Sequence, residues 1–302
     1  MTAIPASRLQ APLYVLIFGT LFGATISMAK LGGQYGLDPI TLVFWQMLLG
    51  GILLLITALV RGKGLKLNGR YLRYYFIAGL VGNAIPTTLA FVASFKIGAA
   101  LTGLVYPLSP LTTYAFSIII GIDVIRRYKI AGMALGLLGA AVIVVPPLFT
   151  SPQIGADTPP ILWLILAFSI PVFLGIANIY RSMDWPEGAS SISLAAGMLL
   201  ATTILMTPLF FFIDAPVWPE FTSTVAIAIF VGNIIMSYVG FIFYFELQRI
   251  ADPVYFSQIS YFITITTMVF GFVLFGETIH WYVVPSVLLI FAGLFLVSRK
   301  QK

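Results

Sequence analysis

The sequence predicts an all-α integral membrane fold: ten transmembrane helices, arranged as two inverted five-helix repeats around a central cavity. Three observations predict it. Of 302 residues, 60% are hydrophobic and only 9% are charged, against about 25% charged residues in soluble domains. Apolar stretches of roughly the length that crosses a bilayer as a helix fill residues 11–29, 39–60, 74–95, 97–122, 130–149, 161–180, 190–213, 221–245, 253–276 and 278–298. The second half also echoes the first: Val81-Gly82-Asn83 recurs as Val231-Gly232-Asn233, and Ile85 matches Ile235. The alternating strands of an outer-membrane barrel are absent.

Span 1 follows Arg8 and carries Gly19 and Gly23 at the spacing that brings helices together. Read as a signal peptide with Ser27-Met28-Ala29 near its cleavage site, it would leave nine spans and no repeat. The lone Arg8 and the length of the uncharged run favour a permanent span. The connection after span 2, Arg61 to Arg73, is basic and contains glycine. Span 3 carries Asn83, Thr87, Ala90 and Ser94, and span 4 carries Thr102, Tyr106, Ser109 and Thr113. In both, the spacing places the four positions on one helical face. Pro86 in span 3, Pro107 and Pro110 in span 4, and Pro171 in span 6 each remove a backbone donor. The freed carbonyls are tolerable only beside protein or a wet cavity, so Pro86, Pro107 and Pro110 are candidate helix bends for gating. Span 5 repeats the glycine spacing at Gly132 and Gly136.

Leu148 to Pro160 is rich in Pro, Ser, Thr and Gly and reads as the linker between halves. Residues 1–150 then form the first repeat and 151–302 the second. Span 8 repeats the polar face of span 3 with Asn233, Ser237, Gly240 and Tyr244, and span 9 offers Ser257, Gln258, Tyr261 and Thr264. Asp123 after span 4 corresponds to Glu277 after span 9, each placed to cap the following helix. Gly132 and Gly139 of span 5 fall opposite Ser286 and Gly293 of span 10.

Charge sets the orientation. With the N-terminus in the cytoplasm, 14 of the 16 basic residues fall inside: Arg8, the five between Arg61 and Arg73, Arg126, Arg127, Lys129, Arg181, Arg249, Arg299, Lys300 and Lys302. Only Lys30 and Lys96 fall outside, a strong positive-inside bias. This placement accounts for the net charge of +6 without a nucleic-acid partner. Trp163, Trp185, Trp218 and Trp281 lie at span ends, as an aromatic belt requires; Trp45 lies deeper.

An odd number of spans per repeat means opposite orientations, an arrangement that transporters use to open a cavity first to one side and then to the other. The polar faces of spans 3 and 8 fit two uses equally: a cavity wall with two related asparagines, or hydrogen bonding between packed helices. The candidate solute contacts are Asn83, Thr87, Tyr106, Ser109, Asn233, Ser237, Tyr244, Gln258 and Tyr261. No carboxylate or histidine is placed at membrane depth, and His280 is expected at the outer surface. That disfavours an embedded proton relay and a strongly charged substrate. There is no cysteine and one histidine, and no zinc, P-loop or nucleophile-elbow motif. Neither catalysis, a cofactor nor a metal is therefore expected. The partners are a small solute and the lipid bilayer. A passive pore, and an intramembrane enzyme acting on a lipophilic substrate, are the alternative readings.

Residues Gly19 to Lys30 with Asp38-Pro39, Tyr106 to Pro110, Gly121-Ile122-Asp123 and Gly132 to Gly139, followed in the second half by Phe275-Gly276-Glu277 and Gly293, resemble the EamA-type carriers of the drug/metabolite transporter superfamily. The resemblance covers nearly the whole chain, in two copies. It departs where Gln46 stands in place of a frequent arginine and Asp123 in place of glutamate. It implies a basket of ten helices, with spans 1, 3, 4, 6, 8 and 9 lining the cavity and spans 5 and 10 at the periphery. It also implies export of small metabolites, often amino acids. The reading is a secondary carrier in the bacterial inner membrane. The amides, hydroxyls and aromatics available suit a neutral or zwitterionic solute such as an aromatic or hydrophobic amino acid.

Overall fold

A computed structural model of the chain describes residues 10–150, 160–277 and 281–298. His280 and most of the linker read at 148–160 lie outside the described residues. Among the described residues there is helix and no strand. Seven helical stretches are long and apolar enough to cross a membrane, and Val283–Gly293 is a shorter apolar helix.

Helix α1 (Gln10–Gln34) runs unbroken through Ser27 to Ala29. Helix α2 (Pro39–Val60) starts where Asp38 accepts hydrogen bonds from the N–H groups of Ile40 and Thr41, with Pro39 in the first turn. Helix α3 (Gly69–Gly79) passes through a π turn, Leu80–Ala84, into α4 (Ile85–Ile97). Pro86 supplies no N–H for the carbonyl of Gly82, and the Ile85 N–H reaches back to the Leu80 carbonyl, the longer loop of a π turn. The fourth stretch is also broken. Short α5 (Ala99–Gly103) gives way to a 3-10 turn at Tyr106–Leu108 and then α6 (Ser109–Ile119), with Pro107 and Pro110 in the first turns.

Helix α7 (Arg127–Thr150) precedes the linker. The second half comprises α8 (Pro160–Met183), α9 (Ser191–Met206), α10 (Leu209–Phe212), α11 (Thr224–Ile250), α12 (Pro253–Phe256), α13 (Ile259–Phe275) and α14 (Val283–Ser298). The α12–α13 break mirrors the α5–α6 break, whereas α11 is continuous where α3–α4 is not.

Helices from before the linker pack on helices from after it: α1 on α13 and α11, α2 on α9, α4 and α6 on α8, and α7 along α14. Glycine makes the closest approaches possible. A Cβ at Gly19 would lie 2.8 Å from the Ile259 carbonyl oxygen, and one at Gly23 would lie 2.8 Å from that of Ile263, so both hold α1 against α13. Gly132 and Gly136 face Gly293, and the Ser286 hydroxyl donates to the Gly139 carbonyl at 2.6 Å. Outward-facing side chains such as Ile56, Leu137, Val273, Leu288 and Phe295 are exposed, a surface suited to lipid. Trp45 joins the aromatic end after all: its indole N–H donates to the Val217 carbonyl at 2.7 Å and its ring lies 5.0 Å from that of Trp218.

The two helix-end carboxylates behave differently from each other. Asp123 accepts from the Val124 N–H and pairs with Lys129 at 2.6 Å. Glu277 caps distant α5, accepting from the N–H groups of Ala99 and Ala100, both at 2.9 Å, and it pairs with Lys30. Partial burial would raise Asp123, but the bonds from Lys129 and Val124 outweigh it and hold the carboxyl below the usual aspartate range. A depressed folded-state pKa stabilises above the unfolded value and is lost as pH falls through the folded one. The difference in melting temperature between wild type and Asp123→Asn should therefore be full at neutral pH and vanish in strong acid. A difference that stays constant across the titration would show the pair to be irrelevant.

Candidate functional site

A cavity lies where the two halves meet. From before the linker it is lined by Phe18 and Phe22 of α1, Gly82, Asn83, Pro86 and Thr87 around the π turn, and Tyr106 and Ser109 around the 3-10 turn. From after the linker come Leu174 and Asn178 of α8, Phe241 and Tyr244 of α11, and Phe256, Ser257, Ile259, Ser260 and Ile263 around the α12–α13 break. Among the described residues, α7 and α14 contribute none to the wall.

Each broken helix presents polar groups that a straight one would keep to itself. Asn83 sits in the π turn, where its amide N–H donates to the Met47 sulfur at 2.9 Å and its carbonyl oxygen accepts from Thr87 at 3.0 Å. The hydroxyls of Tyr106 and Ser260 are buried, line the cavity and have no protein partner. Leaving a buried hydroxyl unsatisfied costs about 1–3 kcal/mol, so both are open to a bound solute. Phe18, Phe22, Phe241, Tyr244 and Phe256 form a connected aromatic wall; Phe18 and Tyr244 have ring centroids 4.5 Å apart, and Tyr244 and Phe256 4.7 Å.

Of the residues singled out from the sequence, Asn83, Pro86, Thr87, Tyr106, Ser109 and Tyr244 share this wall. Pro107 and Pro110 are buried at the turn that carries Tyr106 and Ser109. Asn233, Ser237, Gln258 and Tyr261 are not in the wall. Asn233 is fully buried and donates to its own helix at Ile229, at 3.1 Å. Ser237 faces Gly50 of α2. Tyr261 packs on Phe291 of α14 with ring centroids 5.2 Å apart, and Gln258 stands at the α12–α13 junction. Buried Gln46, where the resemblance expects arginine, has no partner for either amide atom.

The model of the EamA-like transporter family matches residues 9–145 and again residues 161–299. The chain belongs to the EamA-like transporter family. The two matches give it the two-repeat organisation of that family, and with its apolar helices they make it a multi-pass membrane protein. A solved crystal structure superposes with a TM-score of 0.66 over 97% of this chain and 98% of that one, at 20% identity; the likeness is one of fold. No curated protein matches the sequence.

Within this EamA-like chain one charged residue departs from its sequence-based placement. Arg181 was expected at the cytoplasmic surface, just past a span ending at residue 180. Instead α8 continues to Met183 and the side chain is 0% exposed. Its Nη2 donates to Asn178 Oδ1 at 2.8 Å, and its Nε to Gln248 Oε1 at 3.2 Å. Its guanidinium carbon lies 5.1 Å from the Tyr244 ring and 5.7 Å from the Phe256 ring. A cation therefore stands directly behind the wall. The signal available in the sequence was Asn178 and Arg181, three apart and so on one face of an apolar helix.

Proposed function

We propose that this EamA-like chain is a secondary carrier of the bacterial inner membrane that exports a small neutral or zwitterionic organic metabolite, such as an aromatic or hydrophobic amino acid, by alternating access. Ten spans cross the membrane as two inverted five-helix repeats, residues 1–150 and 151–302, with both termini cytoplasmic. The observation that carries this reading is the cavity between the halves, walled by broken helices from each. Breaks at equivalent places give each half its own bend, so one half can close as the other opens. Tyr106, Ser109 and Ser260 offer hydroxyls to the solute, and Asn83 with Thr87 an amide–hydroxyl pair. The aromatic wall takes the apolar part. Asn233, Ser237, Gln258 and Tyr261 support this wall from behind.

The test is uptake and counterflow in proteoliposomes with a metabolite panel, with and without a pH gradient. Saturable counterflow of labelled solute is expected; flux linear in concentration would indicate a pore, and chemical conversion of the solute an enzyme. Tyr106→Phe and Asn83→Ala should each raise the apparent KM about tenfold, the loss of one hydrogen bond worth roughly 1.4 kcal/mol. Transport unchanged in both variants would remove these residues from the site.

A further inference from the structure

We infer that Arg181 is the anchor for a carboxylate on the transported solute, reached from the cavity past the bare backbone of Gly82. The inference rests on the carrier reading above and narrows it: the solute carries a carboxylate, and amines or neutral metabolites without one are excluded.

A fully buried guanidinium is costly unless paired, and among the described residues none of the ion pairs includes Arg181. Asp184, just past the end of α8, is already engaged by Arg73 at 2.7 Å and by the Tyr180 hydroxyl at 2.7 Å. The contacts Arg181 does make leave Nη1 without a partner. Gln248, whose Oε1 accepts from Arg181, likewise leaves its Nε2 without one while only 4% exposed. Unused N–H donors on both members of one hydrogen-bonded, buried unit suit an anion and not a cation.

The geometry directs that unit at the cavity. Asn178, Tyr244 and Phe256, which touch the guanidinium, all line the wall. So does Gly82, and a Cβ built there would collide with Nη1. The missing side chain is what lets the guanidinium come up to the wall. A planar fork of donors matches a carboxylate, and the adjoining Phe18, Phe22 and Phe241 match an apolar side chain on the same molecule.

The probes are hydrophobic and aromatic amino acids, each compared with its own amide, in which the charged oxygen pair is lost. Binding is read as thermal stabilisation of the purified protein in detergent, and transport as counterflow in vesicles. Wild type should be stabilised by at least one amino acid and far less by its amide. Arg181→Met should weaken that stabilisation by about tenfold or more in apparent affinity, as expected for a lost charge-assisted hydrogen bond, and should erase the preference for acid over amide. Gly82→Ala retains the charge but displaces Nη1, and should reduce the preference for acid over amide. It carries the test should Arg181→Met fail to fold. Equal stabilisation by acids and amides, no stabilisation by any acid, or an undiminished acid preference in a folded variant would each overturn the inference. Acid-selective binding that depends on Arg181, without counterflow, would instead reject the carrier reading and leave the anion site standing.

Discussion

Gly293→Leu is expected to separate α14 from α7 and to lower the melting temperature of the detergent-solubilised protein by many degrees. A Cβ at Gly293 would collide with the Gly132 carbonyl oxygen and lie 2.7 Å from the Gly136 nitrogen. Both are helix backbone, so no rotamer change relieves the clash and the helices themselves must part. On the facing side a Cβ at Gly139 would lie 2.8 Å from the Ser286 carbonyl oxygen, so the contact is tight from both directions. Helix association in membranes depends on such close packing, and overpacking typically costs about 1–3 kcal/mol, occasionally more. The larger leucine belongs at the upper end. Gly232→Ala is the control: nothing lies within 4 Å of a Cβ there, and alanine favours a helix interior over glycine by roughly 0.5–1 kcal/mol. A Gly293→Leu protein melting with wild type would refute the packing argument.

The second large effect is expected at Glu277. Its carboxylate ties three elements: Lys30 near the end of α1, the first N–H groups of α5, and the end of α13 from which it projects. The first amides of any helix have no partner within it, and here a side chain distant in sequence supplies one. Gly98, at φ +94°, is part of the arrangement, because a Cβ there would stand 2.9 Å from Glu277 Oε1. Gly276 ends α13 in the left-handed region at φ +59° and turns the chain so that Glu277 points back. Glu277→Ala leaves two part-buried amides and an ammonium unpaired, a loss of about 1–3 kcal/mol for the amides alone. Glu277→Gln retains an acceptor without the charge and should fall between. A double-mutant cycle with Lys30→Met isolates the ion pair, since removing both partners should lose less than the sum of the single losses. Strict additivity would show that the pair contributes nothing.

The contrast between Asn83 and Asn233 shows how far the sequence reached into the site. Both stand on polar helical faces of identical spacing, and both are buried. Asn83 meets the cavity because a π turn, forced by the missing N–H of Pro86, opens its helix at that point. Asn233 lies in an unbroken helix whose polar face meets other helices until Tyr244. Periodicity identifies an inward face, and the same face serves a wall or a helix contact. The prolines of the fourth stretch were better guides, because a missing donor is a local fact that no packing reverses.

Arg181 and Glu277 escaped for the complementary reason. A charge at the edge of an apolar stretch is by default an interfacial one, since the interface is where it is best hydrated. Whether a neighbouring helix covers it depends on elements about 70 to 180 residues away in the chain. Composition, apolar run lengths and glycine spacing determined by themselves that this protein is helical, multi-pass and built in two related parts, because the bilayer admits few other solutions for such a chain. Only the tertiary structure decided which polar groups share a cavity and which buried cation has no counter-ion among the described residues. Those are properties of contacts between the halves, and no single helix encodes which side of its inward face will be left unpacked.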